Sequence, residues 1–381
     1  MRKLGVKALA AALAICFLMS FRITLSASGI SVSVSAESAA LINLENGDVY
    51  FAKNASARLP MASTTKIMTA LVALENSEID DTVIIDRRAV GVEGSSVYLT
   101  EGELLTMENL LYALLLASAN DAAAAIAIEV GGSIEGFAQL MNEKAKDLGL
   151  ENTHFENPHG LDSEEHYTSA LDLAKITAAA MKNESFAKIV STYKSTIPCN
   201  GGSRVLINHN KLLRSYDGAV GVKTGFTKRS GRCLVSAAER NGMTLIAVTI
   251  NAPDDWNDHR EMLDGGFNAY HKVKVTGKGE YIINIPVIGG TDETVLCSNA
   301  NEISAVLPSS VSTDMCKLTL EAPRMLYTPV KEGDIIGKLV CYENGKVIGE
   351  SEIKAEYSVK AVKYKLTLWE RIKGFFSNIF N

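Results

Sequence analysis

Three short motifs in this 381-residue chain supply the groups that an acyl-transfer site needs when it works without a catalytic histidine: Ser63-Thr64-Thr65-Lys66, Ser118-Ala119-Asn120 and Lys223-Thr224-Gly225. In the first, i,i+3 spacing on a helix sets an amine on the same face as a hydroxyl, one turn away. Ser63 opens that helix, at the positive end of its dipole, where developing negative charge is favoured. An amine buried near other cations gives up its proton readily and can then activate the hydroxyl. In the second motif, Ser118 and Asn120 interrupt an apolar run, where polar groups are costly unless they are bonded. Ser118 can relay a proton between Lys66 and a leaving amine, and Asn120 can donate to Lys66 or to a substrate carbonyl. In the third, Lys223 and Thr224 offer donors to a carboxylate, and Gly225 leaves room for a substrate backbone to pair with a strand edge.

Taken singly the motifs say little. Ser-x-x-Lys occurs four times, at Ser63, Ser185, Ser191 and Ser351, and any copy alone reads equally as an N-cap serine followed by a surface lysine. Ser-x-Asn alone reads as a helix cap or kink, and Lys-Thr-Gly alone as a plain strand end. The last two occur once each, and their order, with gaps of 55 and 105 residues, selects Ser63 from the four serines. Rival chemistries lack their signatures: there is no Gly-x-Ser-x-Gly for a Ser-His-Asp hydrolase and no His-Glu-x-x-His among the six histidines.

The elements that must position these residues can be read in outline. Residues 39–52 read as a hairpin about Glu45-Asn46-Gly47-Asp48, because Asn-Gly favours a two-residue turn. Helical periodicity follows over residues 63–75, 107–130, 134–148 and 169–181. Residues 110–128 are Ala- and Leu-rich almost all round, which suits one central helix buried in the core. Residues 220–225, 232–240 and 243–251 read as strands, the last two joined at Asn241-Gly242, with a helix over 257–271. Strands, helices, strands and a helix in that order predict an antiparallel sheet carrying helices rather than βαβ units. From about residue 275 short strand-like runs alternate with turn signals, which reads as a separate all-β module of about 85 residues.

The ends of the chain differ from the rest. Arg2, Lys3 and Lys7 precede an apolar run over 8–19, and Val34-Ser35-Ala36 or Ala27 offers a small-residue cleavage site. We read residues 1–36 as a secretory signal, with an uncleaved anchor as the alternative; both place the remainder outside the cytoplasm. The segment carries four positive charges and no acid, so its removal takes the formal charge from −6 to −10. An acidic chain without a basic stripe is a poor nucleic-acid binder. Of six cysteines, Cys16 leaves with the signal, and the five that remain are too widely spaced for a disulfide framework or a zinc site. Cys233 reads as a buried strand residue. At the other end, Leu368, Trp369, Ile372, Phe375, Phe376, Ile379 and Phe380 recur at helical spacing. About 14 residues at ~1.5 Å each reach ~21 Å, short of the ~30 Å bilayer core. Residues 363–381 are therefore expected to lie on a membrane surface, the alternative being a helix docked on the protein itself.

The ordered triplet resembles the serine penicillin-recognising family of penicillin-binding proteins and class A β-lactamases. More narrowly, the chain is similar to the low-molecular-weight D-alanyl-D-alanine carboxypeptidases, in residues 59–69, in Asn157-Pro158-His159-Gly160-Leu161-Asp162, in residues 222–227 and in residues 329–339. The resemblance implies an α/β (α+β) transpeptidase-like domain over 37–274 with an antiparallel sheet flanked by helices, a β-rich domain over 275–362 and an amphipathic anchor over 363–381. It implies Ser63 as the acylated nucleophile, Lys66 as its base, and Ser118 and Asn120 as relay and substrate contacts. Lys223 and Thr224 would hold the terminal carboxylate, and the amides of Ser63 and Phe226 would form the oxyanion hole. Some relatives use a downstream arginine; Arg260 is the nearest candidate and is left outside the site. The expected substrate is a peptidoglycan stem peptide ending in D-Ala-D-Ala, with β-lactams as covalent inhibitors and no cofactor or metal. The second motif is Ser-Ala-Asn rather than Ser-Asp-Asn, and no Glu-x-x-x-Asn follows it, which argues against a class A β-lactamase. A related transpeptidase, endopeptidase or weak β-lactamase, and a non-catalytic wall scaffold, remain as alternatives.

Overall fold

Among the described residues, nine strands and eight helices build the first part of the chain around one buried sheet. The strands are β1 (Ser38–Asn43), β2 (Val49–Lys53), β3 (Thr82–Ile84), β4 (Leu104–Thr106), β5 (Lys194–Cys199), β6 (Gly202–Ile207), β7 (Ala219–Thr227), β8 (Gly231–Arg240) and β9 (Met243–Ile250). The helices are α1 (Lys66–Asn76), α2 (Met107–Leu115), α3 (Asn120–Gly131), α4 (Ile134–Asp147), α5 (Ala170–Met181), α6 (Glu184–Ser191), the single turn α7 (Leu212–Ser215) and α8 (Asp255–Ala269). The computed structural model describes residues 29–362, which divide into two units between Asn268 and Ala269.

The antiparallel sheet has the order β2-β1-β9-β8-β7. β9 is buried at every position and forms its centre, while β7 is an edge strand with an unpaired side. The expected Asn241-Gly242 turn is formed, with φ of 51° and 73° and Arg240 paired to Met243. Two positive values in succession are what a type I′ hairpin needs. The first hairpin differs from expectation. Ile42 pairs with Val49, so the turn is longer than Asn46-Gly47 alone. The Asn43 carboxamide accepts from the amides of Glu45 and Asn46, and this local capping of the turn prevails over the two-residue alternative.

The continuous helix expected over 107–130 is two helices. The chain leaves α2 at Leu116, passes through Ser118 at φ 59° and restarts at Asn120. The Asn120 amide donates to the Ser95 carbonyl at 2.7 Å instead of to a carbonyl in its own helix. Residues Asn120 to Ile128 of α3 are all buried, as the small side chains allow. Sequence reading also missed α6, an eight-residue helix capped by Asn183, and the β5–β6 hairpin. Both are too short to develop a clear period.

Ahead of β1, residues 34–36 are bound into the fold. The Asp258 carboxylate accepts from the Ser35 amide, the Ser35 hydroxyl and the Ala36 amide at 2.7–3.0 Å. Val34 and Ala36 are buried. Cleavage after Ala36 would strip these contacts; residues 1–28 lie outside the described residues.

The second unit is all-β, as its turn signals suggest. Its strands are β10 (Tyr270–Thr276), β11 (Ile282–Ile288), β12 (Thr294–Asn299), β13 (Ile303–Pro308), β14 (Lys317–Glu321), β15 (Leu326–Tyr327), β16 (Ile335–Glu343) and β17 (Lys346–Ala355). Six of them form a sheet of order β14-β16-β17-β12-β11-β15, and β10 pairs with β13. That pairing draws residues 270–274 into this unit, so it begins at Ala269 rather than at 275. Its core includes Ile285, Val295, Cys297, Leu339, Cys341 and Ile353. The helix expected over 363–381 lies outside the described residues, among which no helix is long and apolar enough to cross a membrane.

Candidate active site

A tight helical turn over Ala62–Thr65 precedes α1, and it delivers the first motif as the spacing predicts. Lys66 Nζ lies 2.9 Å from Ser63 Oγ, 2.7 Å from Asn120 Oδ1 and 2.6 Å from the His159 carbonyl. The Lys66 side chain is fully buried. Burial holds its pKa well below the ordinary lysine range, the charge of Lys223 pushes the same way, and Asp121 opposes them. The partners can accommodate the neutral amine that burial favours. Asn120 Oδ1 and the His159 carbonyl can only accept, and a neutral amine has two protons to give them. Its lone pair is then left facing the Ser63 hydroxyl, the group that a base must deprotonate.

Asn120 corrects one expectation. Its oxygen, not its amino group, faces Lys66, while Nδ2 donates to the Glu93 carbonyl. A lysine amine with protons to give requires an acceptor there. Gly94 (φ 97°) makes this contact possible, since a Cβ at that position would lie 2.6 Å from Asn120 Nδ2. Ser118, buried between α2 and α3, lines the same cleft as Ser63.

The His159 carbonyl reaches Lys66 because residues 157–160 fold tightly. Asn157 Oδ1 accepts from the amides of His159 and Gly160. Gly160 (φ 87°) presses on the nucleophile turn so closely that a Cβ would sit 1.9 Å from the Ala62 carbonyl. Burial pushes the His159 ring down to about 3, so the imidazole is neutral.

On the other wall, edge strand β7 carries the third motif. Lys223 is 1% exposed and its Nζ donates to the Thr224 carbonyl at 2.9 Å. Burial brings its pKa down to about 7. The charge of Lys223 is in turn one of the influences that lower Lys66. Gly225 is tied to the nucleophile directly: a Cβ there would lie 2.9 Å from the Ser63 amide and 3.1 Å from the Thr64 amide. Any side chain there would crowd the Ser63 amide, a donor available to an oxyanion.

The cleft is also lined by Ser95, His209, Lys211, Phe226, Arg232 and Trp256. Apart from Phe226, sequence reading found none of these; they come from separate loops and strands and carry no spacing signal. Arg232, on β8 and bonded to Asp255 through Nε and Nη2, is the arginine of the cleft. Arg260 lines an adjoining cavity of about 820 Å³ that shares His209, Lys211 and Trp256 with the cleft. Cys233 is buried on β8, as expected. Among the described residues no group of three or more His, Cys, Asp or Glu is arranged to hold a metal.

Residues 24–254 match the family model described as D-alanyl-D-alanine carboxypeptidase, and residues 270–361 match that of the penicillin-binding protein 5 C-terminal domain. The chain is 33% identical over 348 residues to D-alanyl-D-alanine carboxypeptidase DacF of Bacillus subtilis, covering 89% of each. It is 30% identical over 360 residues to DacC of Escherichia coli, covering 89% of this chain and 88% of that one. Among solved structures, penicillin-binding protein 5 of Haemophilus influenzae superposes with a TM-score of 0.68 at 28% identity, covering 87% of this chain and 99% of that one. A single-substitution mutant of Streptomyces K15 DD-transpeptidase gives 0.59 at 34% identity, covering 62% and 99%.

Proposed function

The chain belongs to the D-alanyl-D-alanine carboxypeptidase family and is a serine hydrolase of that class, and from that premise we propose that Ser63 is the nucleophile that removes the terminal D-alanine from peptidoglycan stem pentapeptides. Neutral Lys66 takes the Ser63 proton as Oγ bonds to the carbonyl carbon between the two D-alanines. Lys223 and Thr224 receive the leaving residue's carboxylate, and the amides of Ser63 and Phe226 stabilise the oxyanion. Ser118 passes the proton from Lys66 to the departing amine. Water, deprotonated in turn by Lys66, then hydrolyses the acyl-enzyme. β-Lactams acylate the same serine.

The observation that carries this reading is the buried Lys66 amine, bonded to Asn120 Oδ1 and the His159 carbonyl and 2.9 Å from Ser63 Oγ. Ser63→Ala is expected to abolish D-alanine release from a defined pentapeptide and labelling by fluorescent penicillin, with the wild-type label mapping to the Ser63 peptide. Undiminished release would end the proposal. The likeness to a DD-transpeptidase supports a second reading in which an amine acceptor replaces water; product analysis with an added acceptor separates the two.

The enzyme acts outside the cytoplasm in this reading, exported by its basic-apolar leader and held on the membrane surface by residues 363–381. Co-sedimentation of the full chain with anionic vesicles, lost in a chain ending at residue 362, is the expected result. Equal binding by both chains would remove the anchor.

A further inference from the structure

Tyr98 occupies a conformation that a bulky side chain disfavours. Its φ is 58°, a left-handed value that is rare outside glycine, asparagine and aspartate. The residue is 83% exposed, more than any other large hydrophobic residue among those described. Loose packing does not account for this. Ser96 Oγ donates to Asp121 Oδ2 at 2.6 Å, and the Val97 and Leu99 amides donate to the same carboxylate at 3.2 and 3.0 Å. The Tyr98 amide donates to Ser96 Oγ at 2.9 Å. From β6, Arg204 donates to the carbonyls of Val97 and Tyr98 at 2.7 and 3.0 Å, while Glu103 pairs with its guanidinium. Val97 and Leu99 are buried on either side, so the chain runs in, out, in, and Tyr98 is the residue turned outward.

The segment continues from a residue that lines the catalytic cleft. Ser95, three residues earlier, lines the cleft beside Ser63 and Ser118, and its carbonyl receives the Asn120 amide. The residues that anchor the segment, Asn120 and Asp121, are the ones that open α3 behind the second motif. Strained backbone persists where its surroundings over-determine it, and it concentrates at ligand clamps. An exposed aromatic ring on a rigid mount offers a large apolar contact with little side-chain entropy to lose. The terminal D-Ala-D-Ala unit is already accommodated by Ser63, Lys223 and Thr224 in the reading above, on which this inference rests.

We propose that Tyr98 is a substrate-contact residue whose ring packs on the part of the peptidoglycan substrate upstream of the scissile bond, toward the glycan, and so favours wall-linked stem peptides over short D-Ala-D-Ala peptides. The test compares kcat/KM for D-alanine release from a glycan-linked pentapeptide and from a short N-acylated peptide ending in D-Ala-D-Ala. Tyr98→Gly is expected to lower the ratio of the two by about tenfold, chiefly through KM for the glycan-linked substrate. Its Tm should hold or rise, because glycine adopts this φ without strain. Tyr98→Phe, which keeps the ring, should keep the ratio. An unchanged ratio in Tyr98→Gly, or equal losses on both substrates with a fall in Tm, overturns this inference alone. Wild-type protein that releases D-alanine from neither substrate overturns the carboxypeptidase reading with it.

Discussion

Lys66 and Lys223 are chemically the same side chain, both buried, and the proposed mechanism needs them in opposite states. Lys66 is surrounded by acceptors and a hydroxyl and suits the neutral form. Lys223, lowered by burial to about 7, is charged below neutrality, the state in which it would receive a carboxylate. A lysine pKa lowered by burial means that the charged form is lost as pH rises through the lowered value. In wild type, kcat/KM should therefore fall above about pH 7 as Lys223 discharges. Lys223→Arg should remove that alkaline limb, because arginine stays protonated, at a maximal rate lower by about tenfold for want of the lysine's fit. Coincident alkaline limbs in the two pH–rate profiles would show that Lys223 is not the group titrating.

At the scale of elements, the break between α2 and α3 does what a continuous helix could not. By leaving the helix, the Asn120 amide becomes free to bind the Ser95 carbonyl, and Ser118 is held in the turn at φ 59°. Serine at this φ stores strain that glycine would not. Ser118→Gly is thus expected to keep or raise stability, by up to about 1 kcal/mol in a urea melt. It should cut D-alanine release by about a hundredfold or more through loss of the proton relay. A large fall in stability would instead assign the hydroxyl a structural bond. The edge position of β7 is the other enabling element: β8 satisfies one side of the strand, and the side nearest Ser63 faces the cleft.

At the scale of the molecule, the fold extends further toward the N-terminus than the leader pattern implies. Asp258, on α8, satisfies three donors of Ser35 and Ala36; Lys53 Nζ donates to the Val34 carbonyl, and the Ile30 amide to Tyr50. Processing at Ala36 would leave a buried carboxylate short of partners, at a cost of about 1–3 kcal/mol for each unsatisfied group. We therefore expect the mature protein to begin at Ser28, after Ala27. Intact mass and N-terminal sequencing of the exported protein check this, and a chain starting at Glu37 would refute it.

The sequence by itself determined the family and the reaction class. Ser63 and Lys66 are neighbours on one turn, and no folding event is needed to see that the pair can react; unique copies of the other two motifs singled that pair out. The alternation of apolar residues, with Asn-Gly at its turn, likewise made the β8–β9 hairpin legible, because both signals are local. Only the tertiary structure decided the state and surroundings of those groups. Whether Lys66 is neutral depends on burial and on acceptors 54 and 93 residues away. The helix break at Ser118 depends on a carbonyl in another loop, and Gly225 is required by the amide of Ser63 rather than by its own strand. Arg232, His209 and the outward Tyr98 were invisible for the same reason: desolvation and non-local hydrogen bonds leave no period or spacing in the chain that makes them.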